Sequence, residues 1–281
     1  MYKKLGLLPW LYIAPAAVIL GVYLIYPVLS TAYLSFFNAD STKFVGLENY
    51  VYLFTHQDTL VAFKNNLLWL IFFTLFTVSL GLLIAVLTDK VRYESAAKSI
   101  IFLPMAISGV AAGTIWKFML DFNPKIGLLN AIVKGVLHAR PIAWLQRYPI
   151  NTFALITVGI WMWTGFSMVI LSAAIKNIPS DILEAAEVDG ATEWQKFWHI
   201  TVPMVSTTIV VLTTTLVINV LKVFDIVYVM TGGNYGTDVI ANRMFKLFYV
   251  ENQFGRSAAI AVVLLLLITP VMAVNAKWFR E

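Results

Sequence analysis

The sequence predicts an all-α integral membrane protein with six transmembrane helices. Hydrophobic residues make up 60% of the 281 residues and charged residues only 12%, a balance outside that of soluble globular domains. Apolar runs of about 20 residues, the length that crosses a bilayer, recur along the chain. We therefore expect a single transmembrane domain over residues 1–281, with no room for a soluble catalytic domain. The predicted spans are 10–37, 66–88, 99–120, 151–175, 204–230 and 257–276.

The first span is expected to be retained rather than cleaved as a signal peptide. Its apolar run continues from Leu5 to Phe37, whereas the apolar core of a signal peptide has about 7–15 residues. Pro15 and Pro27 interrupt the run, which a membrane helix tolerates when neighbouring groups satisfy the freed backbone. The absence of cysteine excludes disulfides and thiolate metal sites.

An even number of spans places both termini on the same side of the membrane. Lys and Arg are equally numerous in the loops on the two sides, so the positive-inside rule alone does not decide the orientation. Lys3 and Lys4, beside the first span, favour cytoplasmic termini. The net charge of +5 is modest, and we attribute it to interfacial residues rather than to nucleic-acid binding.

One loop, 178–203, is long, polar and patterned as two short helices between the fourth and fifth spans. Pro179 ends the fourth span, and Ser180 is the expected N-cap of the first short helix. Gly190 occupies the position after that helix where a left-handed residue is favoured. Thr192 and Gln195 then form the capping-box pattern that begins a second helix.

The composition of this loop indicates docking to another protein. Glu184 and Asp189 help to make the first helix acidic, whereas a helix that rests on lipid headgroups is usually rich in Lys and Arg. An amphipathic helix at the membrane surface is the alternative interpretation. The second helix is expected to be buried against the membrane bundle by its aromatic residues, Trp194, Phe197 and Trp198.

An enzymatic function is not expected. The chain has no phosphate-binding loop of the form G-x-x-x-x-G-K-S/T, so ATP hydrolysis would need a separate subunit. His56, His138 and His199 lie in separate loops without a metal-binding pattern. The sequence around Ser167 lacks the second glycine of the nucleophile-elbow motif G-x-S-x-G. We interpret Ser167 as a packing residue or as polar lining of a transport path.

Polar residues inside membrane spans are the default candidates for a transport path. Lys222 and Asp225 lie three residues apart near the end of the fifth span, with Asn219 one turn earlier. These residues either line a cavity that hydrogen-bonds a solute or form a structural pair at the membrane interface. Trp161 and Trp163 lie in the middle of the fourth span. Because they are two residues apart, at most one is expected to face the path, and packing is the alternative role.

The two-helix loop resembles the EAA signature of bacterial ABC importer permeases. Glu184-Ala185-Ala186 is followed after three residues by Gly190 and, after nine more, by Ile200-Thr201-Val202-Pro203, in which Val202 replaces the usual Leu. In that family the loop is cytoplasmic and fits a groove on the ATP-hydrolysing subunit. The resemblance therefore implies cytoplasmic termini and an ATPase-docking role for Glu184, Ala185, Ala186, Asp189 and Gly190.

Other segments are similar to the carbohydrate-uptake, maltose-type branch of these permeases. In chain order they are FVGLENY at 44–50, FLP at 102–104, GLLN at 127–130, WL at 144–145 and VFD at 223–225. The segment 228–237 is similar to permeases for α-glucosides or glucosylglycerol, although it lacks the third Gly and the Pro that are common in the branch. The resemblance implies an inner-membrane subunit that imports a sugar or glycoside by alternating access.

The same resemblance implies a set of partners. These are an ATPase dimer that carries ATP and Mg²⁺, a second related permease in a heterodimer, and an extracytoplasmic solute-binding protein. No cofactor is expected on the chain itself. Two alternatives remain open: an ABC importer for a non-sugar solute such as a glycerophosphodiester, and a secondary transporter or channel that needs no ATPase.

Overall fold

The structure, a computed structural model, describes residues 8–89 and 91–278 and is all-helical apart from its loops. Four helices are long and apolar enough to cross a membrane, namely Leu11–Leu34, Gln57–Asp89, Ile150–Lys176 and Phe254–Met272. Two bent pairs add Glu94–Ala106 with Gly109–Met119 and Glu193–Met204 with Ser206–Leu221. Within the described residues there are therefore four candidate spans, or six when each bent pair counts as one. This range includes the predicted number.

The helices follow one another as α1 (Leu8–Leu20), α2 (Tyr26–Leu34), α3 (Glu48–Thr55), α4 (Gln57–Leu68), α5 (Thr74–Asp89), α6 (Glu94–Phe102), α7 (Gly109–Met119), α8 (Leu128–Gly135), α9 (Ile150–Lys176), α10 (Ser180–Val188), α11 (Glu193–Lys196), α12 (Val202–Met204), α13 (Ser206–Leu221), α14 (Asp225–Met230), α15 (Ile240–Tyr249) and α16 (Phe254–Trp278). π-helical turns at Gly21–Ile25, Trp69–Phe73 and Phe197–Thr201 join α1 to α2, α4 to α5 and α11 to α12. A 3₁₀ turn, Leu103–Ala106, follows α6.

The third predicted span, 99–120, is not one straight helix. It bends by 96° between Ala106 and Gly109. Pro104 lies in the 3₁₀ turn before the bend. Proline disrupts a helix interior, which explains why α6 does not continue through this position. After the bend, the Ser108 hydroxyl caps α7 by accepting a hydrogen bond from the Ala111 N–H (3.2 Å).

The fifth predicted span, 204–230, is also divided. The helix pair bends by 66° at a break next to Val205, just after Pro203 at the start of α12. α13 then ends at Leu221, and the predicted last part of the span forms the separate short helix α14. α14 packs against α7, so this part of the chain supports a neighbouring helix instead of extending α13.

Contacts divide the chain into two compact units, of which the smaller comprises Met1–His56 and Met244–Leu265. In this unit a buried asparagine closes the turn after α2. The Asn49 side-chain amide donates hydrogen bonds to the carbonyl oxygens of Ser35 (2.8 Å) and Phe37 (2.7 Å). The start of α16 approaches the same turn so closely that a Cβ on Gly255 would lie 1.9 Å from the Phe37 oxygen. Only glycine allows this approach.

The larger unit is organised around α9, the longest helix in it. Gly81 on α5 faces α9 so closely that a Cβ there would lie 2.5 Å from the Cβ of Ser167. On α9 itself, Gly165 lies against the chain before the 3₁₀ turn, where its Cβ would be 2.4 Å from the carbonyl oxygen of Ile101. Small residues at helix crossings are what close helix association in a bilayer requires.

Three buried asparagines, Asn65, Asn66 and Asn151, anchor the loop between α14 and α15. The Asn65 amide donates to the carbonyl oxygen of Gly236 (2.7 Å), and the Asn151 amide donates to that of Tyr235 (2.9 Å). The Asn66 side-chain oxygen accepts from a backbone N–H at the start of α15 (2.7 Å). These bonds satisfy backbone groups of a segment that has no helical hydrogen bonds of its own.

We predict that Gly165→Ala destabilises the fold, whereas Gly135→Ala on α8 does not. The new methyl group at position 165 would meet backbone atoms that cannot move aside, while a Cβ on Gly135 has no atom within 4 Å. The expected loss is about 1–3 kcal/mol, typical of overpacking. Thermal unfolding of both variants in nanodiscs measures it, and equal midpoints would contradict the close helix contact.

Candidate functional site

The loop 178–203 forms the predicted pair of short helices, α10 and α11. The sequence predicted Ser180 as the N-cap of α10, but the N-cap is Pro179 (φ −57°, ψ 131°). Ser180 is already the first helical residue. Gly190 has the predicted left-handed conformation, with φ +79°. Its N–H donates to the Glu187 carbonyl (3.0 Å) and the Ala191 N–H donates to a carbonyl in the last turn of α10 (2.9 Å). This is the Schellman arrangement that ends a helix.

The predicted capping box at the start of α11 is confirmed. The Thr192 N–H donates to Gln195 Oε1 (2.8 Å), and the Gln195 N–H donates to Thr192 Oγ1 (3.3 Å). Two backbone donors at a helix start are thereby satisfied within a four-residue helix.

A buried lysine, which sequence reasoning missed, joins the two helices. Lys196 is only 7% exposed, and its Nζ lies 2.6 Å from Glu187 Oε1 on α10. It also pairs with Glu193 in its own helix. The spacing of Glu193 and Lys196 is a helical ion-pair pattern that the sequence does contain, whereas the contact with Glu187 depends on the turn at Gly190.

The outer surface of this helix pair carries apolar side chains that the chain itself does not cover. Val188 is 88% exposed, Trp194 70% and Trp198 49%. Trp194 and Trp198 contact each other, with ring centroids 5.7 Å apart, and Phe197 packs against the hydrophobic core. The prediction that all three rings bury α11 is therefore wrong for the two tryptophans. They are four residues apart and share the helix face that points away from the core.

The predicted docking residues are accessible at the surface of the described chain. Glu184, Ala185, Asp189 and Gly190 are exposed and Ala186 is half-buried. A Cβ built on Gly190 would have no atom of this chain within 4 Å. Glycine is therefore favoured here by the left-handed backbone conformation and not by lack of space. An open groove of about 410 Å³ lies beside it, lined by Asp189, Gly190, Ala191, Gln195, Lys196, His199 and Ile200.

A cluster of charges lies where the chain enters α10. Lys176 Nζ, at the end of α9, is 2.6 Å from Glu94 Oε1 and 3.8 Å from Asp89 Oδ1. Lys98 pairs with the same Glu94 and contacts Ser172 on α9. The cluster ties the end of α5, the start of α6 and the end of α9 together next to the helix pair.

A partly open cavity of about 210 Å³, which we call the Trp163 cavity, lies in the larger unit. Four residues predicted for the transport path line it: Trp163, Asn219, Lys222 and Asp225. Within residues 91–278, Lys222 and Asp225 form no ion pair with each other, and both are exposed. Their charged groups are therefore available for a solute, together with one amide and one indole ring.

The structure does not bring Trp161 and Ser167 to this cavity. Trp161 lies on another face of α9, and its ring packs edge-on against Trp116 at 5.6 Å. Ser167 is fully buried at the contact with Gly81. Both residues therefore have packing contacts, which is the alternative role that the sequence left open for them.

Sequence reasoning missed the aromatic wall of the Trp163 cavity. Trp69, Phe73 and Phe224 line it together with Gly159, whose Cβ would lie 2.7 Å from the Trp69 ring. Trp69 is 2% exposed, and within the described residues its indole N–H has no hydrogen-bond partner. Trp69 lies at the start of the predicted second span, 66–88, where an interfacial ring is expected, so the sequence carried no signal for this role.

Comparison with known families identifies the chain. The family described as "Binding-protein-dependent transport system inner membrane component" matches residues 77–277. The chain belongs to this family. It is thus the multi-pass inner-membrane component of a binding-protein-dependent transport system and not its ATPase.

Individual relatives cover the permease almost from end to end. It is 58% identical over 274 residues to the osmoprotective compounds uptake permease protein GgtC of Synechocystis sp., across 96% of this chain and 98% of GgtC. It is 46% identical over 274 residues to the alpha-glucoside transport system permease protein AglF of Rhizobium meliloti, across 96% and 81%. A crystal structure of a bacterial ABC transporter that imports the acidic polysaccharide alginate matches with a TM-score of 0.82 and 25% identity, across 96% and 95%.

We predict that Trp163→Leu lowers solute uptake by the permease much more than Trp161→Leu does. Of these two tryptophans, only Trp163 lines the cavity, and loss of an aromatic contact corresponds to about a tenfold effect. Initial uptake rates in proteoliposomes measure the effect, and thermal unfolding of each variant corrects for lost packing. An equal fall in uptake for the two variants would contradict a direct role of the cavity.

Proposed function

We propose that the permease is one transmembrane subunit of an ATP-driven importer for a neutral sugar or glycoside. A separate ATPase dimer, which binds ATP and Mg²⁺, docks on α10 and α11 and drives the spans between inward- and outward-open states. The observation that carries the docking role is the exposed surface of that helix pair, where a rigid, capped element presents Val188, Trp194 and Trp198 without cover from this chain. Exposed apolar patches of this kind mark protein interfaces.

The geometry of the helix pair supports transmission of movement. Gly190 and Lys196 fix α10 and α11 to each other, and the Lys176–Glu94 pair ties the preceding helix end to α6. Force applied to the docking surface therefore reaches several span ends through short, charge-assisted contacts. In this proposal the helix pair is cytoplasmic, and so are both termini.

The Trp163 cavity supports a neutral, hydroxyl-rich solute. It offers one ammonium group, one carboxylate and one amide beside aromatic rings, and these groups suit hydroxyls and the apolar face of a sugar ring. A phosphodiester would favour an excess of cations, which this lining lacks. The names of GgtC and AglF, with osmoprotective compounds and α-glucosides as their cargo, agree with such a solute.

The proposed assembly includes a solute-binding protein and a second permease. Dependence on a binding protein is part of the family description, and the alginate transporter has been solved with its substrate-bound periplasmic protein. The first span is exposed along its length, with Tyr12 and Tyr23 each more than three-quarters exposed. We assign this surface to lipid and to a related but distinct permease chain.

We predict that Glu184→Lys and Gly190→Ala both weaken association with the ATPase subunit. The first reverses a charge on the docking surface, and the second forces a Cβ into a left-handed conformation at a cost of about 1–2 kcal/mol. Co-purification and ATP hydrolysis in nanodiscs measure the loss. Asp40→Lys, with the same charge change on an exposed loop outside the helix pair, is the matched control and should leave both unchanged.

The class of solute is tested with the partner binding protein and then with the complete transporter. Sucrose, trehalose and maltose are screened for thermal stabilisation of the binding protein, and stabilising sugars are then tested for ATP-dependent uptake into proteoliposomes. We expect at least one α-glucoside to be imported. Uptake of glycerophosphodiesters alone would overturn the carbohydrate assignment, and uptake that persists without ATP would overturn the importer mechanism.

A further inference from the structure

A second polar recess lies at the other end of α14. This recess, the Tyr235 groove, has a volume of about 610 Å³ and is lined by Lys117, Asp121, Leu145, Gln146, Tyr228, Val229, Met230, Thr231, Gly232 and Tyr235. Most of these residues belong to the ends of α7 and α14 and to the loops that follow them. It is separate from the docking surface and from the Trp163 cavity.

The groove repeats the chemical groups of the Trp163 cavity. The cavity contains the Lys222 ammonium and Asp225 carboxylate, an amide and an indole ring, whereas the groove contains the Lys117 ammonium and Asp121 carboxylate, the Gln146 amide and tyrosine rings. In both places the positive and negative charges are equal in number. Both linings thus offer a ligand the same kinds of group, although in the groove Lys117 also donates to the Val229 carbonyl (3.2 Å) and Asp121 accepts from the Asn123 N–H (2.8 Å).

One ring of the groove is held in an unusual backbone conformation. Tyr235 has φ +56°, which is rare for a residue with a Cβ, and its side chain is 58% exposed. The Asn151 amide donates to its carbonyl oxygen (2.9 Å), so the buried helix α9 maintains this conformation. Strain of this kind persists where surrounding contacts impose it and is concentrated at binding sites.

A single short helix lies between the two recesses. The first residue of α14, Asp225, lines the cavity and packs on Gly109, and Val229, one turn later, lines the groove and packs on Gly113. Phe224, in the cavity wall, stacks on Tyr228 in the groove wall, with ring centroids 5.1 Å apart. Along α14, one stacked aromatic pair therefore lies between the cavity and the groove.

We propose that the Tyr235 groove is a second binding site for the same neutral, hydroxyl-rich solute, occupied before the Trp163 cavity during import. The inference rests on the proposed carbohydrate import and adds a step to it. Gln146 and Asp121 bind hydroxyl groups, Lys117 donates to a ring or hydroxyl oxygen, and Tyr235 provides a face for the apolar side of a sugar ring.

The test uses the complete transporter in proteoliposomes with its ATPase, second permease and loaded binding protein. Gln146→Ala removes the amide, and Tyr235→Asn removes the ring but retains a residue that tolerates the left-handed conformation. Arg147→Ala is the matched control, because Arg147 is exposed next to Gln146 but does not line the groove. Radiolabelled sucrose, trehalose and maltose are the probes, and both uptake and ATP hydrolysis are measured.

We expect the double variant Gln146→Ala, Tyr235→Asn to import about tenfold less sugar per ATP hydrolysed, the size of losing one or two hydrogen bonds and a ring contact. ATP hydrolysis stimulated by the loaded binding protein should stay within about twofold of wild type, as should both readouts for Arg147→Ala. Unchanged uptake per ATP, or a parallel fall of uptake and hydrolysis, would overturn the second site. Failure of the wild type to import any of the sugars would instead overturn the proposed function.

Discussion

In a bilayer, apolar surface gains nothing by moving from lipid to a neighbouring helix, so helices associate only where their backbones can approach closely. The larger unit depends on this constraint at α9. Gly81, Gly159 and Gly165 each occupy a place where a Cβ would meet another atom at 2.7 Å or less. These contacts set the distances from α9 to three elements: α5, the Trp69–Phe73 turn and the chain before the third-span bend. The same separations leave room for a cavity whose wall includes Trp69 and Trp163.

A chain packed in this way can use broken helices, provided that every freed backbone group finds a partner. The bends of the third and fifth spans meet this condition in different ways. Ser108 caps the new helix start in the third span, whereas the Asn66 amide donates to the carbonyl oxygen of Val220 at the end of α13. α14 occupies the space that these breaks create. Its residues face the Trp163 cavity at one end and the Tyr235 groove at the other, which places both recesses on one short element.

The features that the sequence predicted are those set by local chemistry. Span length and composition indicated the fold class, and the Gly190 turn and the Thr192 capping box depend only on neighbouring residues. The positions that it missed depend on distant contacts. The aromatic pattern of α11 revealed an apolar face but not whether this chain covers it, and Lys196 reaches Glu187 only after the turn has formed. The meeting of Trp69 with Asn219 likewise requires two remote spans to converge.

The buried Lys196 has a mechanical consequence. α11 continues through the Phe197–Thr201 turn into α12, so Gly190 is the flexible link between this helical segment and α10. Rotating α11 against α10 would separate the Lys196 ammonium from Glu187 and leave it with Glu193 alone. This charge-assisted contact therefore opposes rotation of the two helices about Gly190. In the proposed importer, an ATPase that pushes on the exposed tryptophans would therefore move α10 and α11 together.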